Sequence, residues 1–224
     1  MVSKGLMAFW SFVDFLLLAA GGISIALSII WRKPDILMNM AISSEFLTTG
    51  MVLGIVLCVT FLVSVAAVVQ RSHVTIGFVI LNYVLVADSL FVLVAGTMVW
   101  FFSLRQRAEF QVRWTALPTA DKVTLQDQFQ CCGYFTAADA AIQAGSFCTS
   151  QDFANGLSNA TANFCVSHIT AFTDYTLENT FTTIYGFMAV VLTLLVTSLC
   201  VIKKRQEEER FKRIDAKRGG RGFV

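Results

Sequence analysis

Apolar residues run along this chain in four long blocks, and the lengths of those blocks decide the fold class. They cover residues 6–31, 46–69, 74–104 and 182–202, the last unbroken from 184 onward. A helix that crosses about 30 Å of hydrocarbon needs roughly 20 apolar residues. Each block meets that length. The pattern predicts an all-α membrane protein with four transmembrane helices. Between them it leaves an N-terminus (1–5), a small outer loop (32–45), a cytoplasmic loop (70–73), a large outer loop (105–181) and a tail (203–224).

Within the large loop the polar pattern becomes helical. Residues 105–114 extend the third span, and Pro118 breaks that extension. Residues 121–129 form a second helix with Val123, Leu125 and Phe129 as apolar anchors, and 137–144 form a short helical turn. Residues 166–181 lead back as a helix into the fourth span. The stretch 148–165 is rich in Asn, Ser and Thr without a strong period, where binding and variability concentrate.

Composition agrees with a bilayer protein. Hydrophobic residues make up 56% of the 224 and charged residues 14%, where about a quarter is usual for soluble domains. The small residues Ala19-Ala20-Gly21-Gly22 resemble a signal cleavage point. The apolar run continues past them, which predicts a retained signal anchor instead.

Charge distribution supplies an orientation. The tail carries nine Lys/Arg against four acids, and Lys4 and Arg71 add to the same side. The positive-inside rule assigns both termini to the cytoplasm, against the opposing Arg32 and Lys33 in the first outer loop. The basic tail also suits anionic inner-leaflet lipid, at about 1 kcal/mol per basic residue.

Four of the six cysteines, Cys131, Cys132, Cys148 and Cys165, fall in the large loop. Together with the charge pattern they place that loop in an oxidising compartment. So does the sequon Asn159-Ala160-Thr161, which makes Asn159 a glycosylation candidate. Adjacent Cys131 and Cys132 join each other only through a strained ring, so two pairings of the four remain. Either one gathers the 148–165 segment onto the Cys-Cys pair. A zinc site lacks its Cys-x2-Cys spacing. Gly133, just after the pair, marks a turn that a side chain hinders.

Cys131-Cys132-Gly133 in a large second outer loop, two further loop cysteines and four spans together resemble the tetraspanin family over nearly the whole chain. Asp14 followed by Gly21-Gly22 stands where the family's first span has Asn and a Gly pair. Ser64, Ala66, Ala67 and Gln70 stand at the end of the second span. Gly145-Ser146-Phe147-Cys148 is similar to the family's Pro-x-Ser-Cys element without its proline. The four-cysteine loop and the tail from Cys200 are most similar to fungal members, which are tied to development and host penetration.

The resemblance implies Cys131–Cys165 and Cys132–Cys148 bridges. It also implies a non-catalytic plasma-membrane scaffold that associates laterally with other membrane proteins, itself included. A sterol or lipid ligand between the helices follows from the same likeness, although Thr193 and Thr197 stand where relatives use a carboxylate. No other cofactor is implied. The family's juxtamembrane palmitoylation sites reduce here to Cys200. Cys58 lies too deep and reads as a packing residue.

Polar groups inside the spans call for partners, because a mid-bilayer Asp costs about 3 kcal/mol. Asp14 and Asp88 should therefore face protein or water. At 1.5 Å per residue from the inner ends, Asp14, Thr60, Asn82 and Thr193 lie about 12–13 Å deep, and Asp88 about 21 Å deep. This predicts one interhelical hydrogen-bond layer centred on Asp14, with Asp88 above it. Gly50-x3-Gly54-x3-Cys58 and Gly22-x3-Ala26 offer small-residue interfaces.

Rival functions find less support. No catalytic triad, His-rich site or phosphate loop appears, so an enzyme is not expected. A small proton- or ion-conducting protein using Asp14 and Asp88 is the alternative. Barrier proteins of the claudin type carry their disulfide loop first, and here the first outer loop lacks cysteine. Arg-Gly-Gly-Arg at 218–221 is too short to predict nucleic-acid binding, and the terminal Gly222-Phe223-Val224 is a weak match for a carboxylate-capturing groove.

Overall fold

A computed structural model describes residues 4–33, 35–69, 76–157 and 163–217 of the chain. The described residues form helices and connecting turns, in the order α1 (Lys4–Ile30), α2 (Ile36–Ala41), α3 (Ser44–Val69), α4 (Ile76–Ala116), α5 (Thr119–Phe129), a 3-10 turn (Ala137–Asp139), α6 (Gln151–Leu157) and α7 (Cys165–Lys217). Four of these, α1, α3, α4 and α7, are long and apolar enough to cross a membrane, and they fit an integral membrane protein. A helix satisfies every backbone N–H and C=O within itself, which hydrocarbon demands.

The chain divides into two compact units. One comprises residues 1–30, 48–96 and 183–224, and the other 31–47 and 97–182. In the first, Leu17, Leu57, Phe78, Leu85 and Leu194 form a core contributed by all four long helices. Its outer faces are apolar as well: Phe12, Phe15 and Leu62 are each about 60% exposed. An inside core and an apolar outside are what a bundle surrounded by lipid requires.

Close approach of α1 and α3 depends on small residues. A Cβ on Gly54 would lie 2.6 Å from Ile25 Cγ1 and 2.8 Å from Gly21 O, and one on Gly21 would lie 2.8 Å from Cys58 Sγ. Ser24 Oγ donates to Gly50 O over 2.7 Å. The expected stripe on α3 therefore faces α1. On α1 the contact falls on Gly21, Ser24 and Ser28. Gly22 is not part of it, having nothing within 4 Å of its Cβ position.

The second unit is built around Phe110, Trp114, Leu125, Tyr134, Cys131, Cys165 and Ile169. The α4 helix runs through the expected extension to Ala116, and Leu117 before Pro118 ends it. The α5 helix closes with Gln130 in the left-handed region, at φ 52°. Three helices go beyond the sequence expectation, α6 in the stretch without a period being one. The α2 helix lies in the small loop, where the Asp35 carboxylate caps Leu37 and Met38 N–H. The α7 helix continues past residue 202 to Lys217.

Candidate recognition surface and intramembrane polar pairs

In the second unit the chain turns sharply after α5, and both bridges start at that turn. Cys131 pairs with Cys165 and Cys132 with Cys148, with S–S distances of 1.99 and 1.97 Å. Gly133 has φ +77°, and a Cβ there would lie 2.0 Å from Thr136 O. Only glycine fits both the backbone angle and the space. Its carbonyl accepts from Cys165 N over 2.9 Å, so the turn is also stitched to the start of α7.

Buried polar side chains hold the rest of the segment. Gln126, 1% exposed, accepts from Ala141 N at 2.8 Å and donates to Ala141 O at 3.2 Å, so α5 holds the chain just after the 3-10 turn, which stops at Asp139 instead of running to residue 144. Asp127 accepts from Phe147 N over 2.6 Å. Trp114 Nε1 donates to Asp139 O, and Tyr134 OH donates to Arg107 O, at 3.1 and 3.0 Å. Burial pushes the Tyr134 phenol well above its ordinary pKa, with nearby Arg107 opposing the shift. None of these partners is readable from local sequence, because each bond joins distant positions.

On this frame sits α6, within the stretch that shows no sequence period. Ala154 is buried with Cys132, Ala137 and Cys148 in a small satellite core. Gln151 Nε2 ties α6 to Ala137 O over 2.9 Å. Phe153 points the other way, 40% exposed, and meets Phe147 edge to face at 5.5 Å. The sequon residue Asn159 lies outside the described residues. Gln70, Arg71 and the motifs after Lys217 do too.

The first unit holds the intramembrane polar groups, and they form pairs instead of one layer. Thr60 Oγ1 donates to Asp88 Oδ2 over 2.7 Å, joining α3 to α4. Ser198 Oγ donates to Asn82 Oδ1 over 2.6 Å, joining α7 to α4, while Asn82 Nδ2 donates to Phe78 O. Asp14 is 4% exposed and adjoins Ser64 of α3, whose hydroxyl is buried outside hydrogen-bond geometry. Thr193 is exposed and donates only to Ala189 O of its own helix. The single layer is therefore corrected. Thr193 drops out, Asp88 takes Thr60, and Ser198 takes the place on α7.

Both free cysteines are described: Cys58 is half-buried against α1, and Cys200 is exposed on α7. Among the described residues no group of three or more His, Cys, Asp or Glu side chains is arranged to hold a metal ion. Compared with protein-family models, with curated proteins and with solved structures, the chain matches none.

Proposed function

We propose that this chain is a tetraspanin-like scaffold of the plasma membrane, non-catalytic, which gathers partner membrane proteins through its disulfide-held unit and its spans. In this reading residues 105–181 face outward, and both termini are cytoplasmic. The observation that carries it is the convergence of two bridges on Cys131-Cys132-Gly133, which hold α6 with Phe153 exposed. A domain of about 80 residues buries too little core to present such a helix unaided. Crosslinks at one turn supply the missing rigidity.

The test is affinity purification in mild detergent, comparing the wild-type chain with Phe153→Asp. Loss of co-purifying membrane proteins with retained folding supports the scaffold reading. Identical partners with the variant would count against α6 as the recognition element.

A further inference from the structure

Away from α6, the second unit has a concave site. An open cavity of about 440 Å³ lies between α2, the end of α4 and the start of α5. That is within the range of roughly 300–1,000 Å³ typical of ligand pockets. Ile36, Met40 and Leu117 give it apolar walls, and Asp35, the N-cap of α2, and Asp121, in the first turn of α5, also line it.

One of the two acids is held as a helix cap. Asp35 uses Oδ1 to cap α2, accepting from Leu37 N and Met38 N at 3.0 and 3.2 Å. Asp121 lies in the first turn of α5, and its carboxylate accepts no hydrogen bond from a described residue. Arg113 also lines the cavity, but its guanidinium is committed elsewhere. Nη1 donates to Met40 O over 2.8 Å, the group lies 5.1 Å from the Phe102 ring centre, and Glu109 and Glu45 offset its charge. The cavity is left apolar along its walls and negative at two points.

We propose that this cleft receives a basic side chain, arginine above all, presented by a partner protein. The alkyl stem lies against Ile36, Met40 and Leu117, and the guanidinium meets Asp35 and Asp121. Long basic side chains have this division into apolar stem and charged head. A planar guanidinium has five donors, enough to engage two separated carboxylates at once. The site uses other elements than α6, so it stands or falls separately from the role of Phe153.

The experiment titrates the full chain in nanodiscs with the blocked tripeptide Gly-Arg-Gly, followed by saturation-transfer NMR. Gly-citrulline-Gly, of the same shape but neutral, serves as control. Saturable binding of the arginine peptide is expected, with at least tenfold weaker binding of the citrulline peptide and of the arginine peptide to D35N/D121N. Asparagine also caps helices, so α2 persists in that variant. Retained hydrogen-exchange protection of the Asn39 and Ile42 amides, which donate to Asp35 O and Met38 O, checks this. Equal binding of both peptides, undiminished binding to the double variant, or no saturable binding overturns the proposal. Free arginine binding more tightly than the tripeptide overturns the assignment to a partner protein.

Discussion

Thr60 Oγ1 and Asp88 Oδ2 meet at 2.7 Å between two membrane-length helices, both residues nearly inaccessible. Among the described residues that hydroxyl is the carboxylate's hydrogen-bond partner, so its removal leaves a buried acceptor unsatisfied. Thr60→Val is expected to destabilise the bundle by on the order of 1–2 kcal/mol, and Thr60→Ser to restore most of it. Thr193→Val should be near neutral, because Thr193 bonds only within α7. Thermal unfolding of the three variants in one detergent checks all of this.

Packing between α1 and α3 gives a paired prediction. Gly54→Ala drives a methyl against Ile25 and Gly21 O, whereas Gly22→Ala meets open space. The first is expected to lower the midpoint of unfolding clearly, through overpacking worth about 1–3 kcal/mol. The second should leave it unchanged or slightly raised. Equal effects would mean that the contact runs along another face of α1.

The turn at the cysteine pair is tested in the same way. Left-handed backbone costs a non-glycine residue about 1–2 kcal/mol. Gly145→Ala should show that cost alone, since φ is +86° and nothing lies near its Cβ position. Gly133→Ala adds a clash with Thr136 O and should cost more, with loss of the native bridges on mass-spectrometric mapping.

Each bridge should protect a different part of the second unit. Chain-entropy arithmetic gives about 3 kcal/mol for the bridge spanning 16 residues and about 4 kcal/mol for that spanning 34. C132S/C148S is expected to release α6 to proteolysis while Trp114 and Tyr134 stay packed. C131S/C165S should loosen that larger core. Hydrogen exchange resolved by peptide separates the two outcomes.

Tyr134 links the fold to alkaline pH. Its folded pKa lies above the unfolded value, so its contribution is intact below the unfolded pKa and is lost as pH rises through the folded one. Ultraviolet titration should therefore show a late tyrosine step that accompanies unfolding of the second unit. In Tyr134→Phe that late step disappears.

The four long helices are legible in the sequence because hydropathy alone specifies them. The α4 extension ending at Leu117-Pro118 is legible from backbone chemistry. The α2 helix is missed although Asp35 before an apolar run is a readable cap. The α7 continuation is hidden because a charged tail suggests solvation, yet Lys, Glu and Arg are good helix formers and Lys204 pairs with Glu207 at 3.2 Å. Depth counted from the inner ends fails for Asp88, which the count sets above Thr60 and which nonetheless bonds to it. Asn82 and Ser198, 116 residues apart, meet only through tertiary packing.

The most direct measurement of the scaffold reading places a photo-crosslinking amino acid at position 153 of the full chain in native membranes. A limited set of light-dependent adducts with other membrane proteins is expected, absent when the crosslinker replaces exposed Gln128 and lost in C132S/C148S. No adduct at position 153, or the same adducts from both positions and from the bridge variant, would contradict α6 as the contact surface.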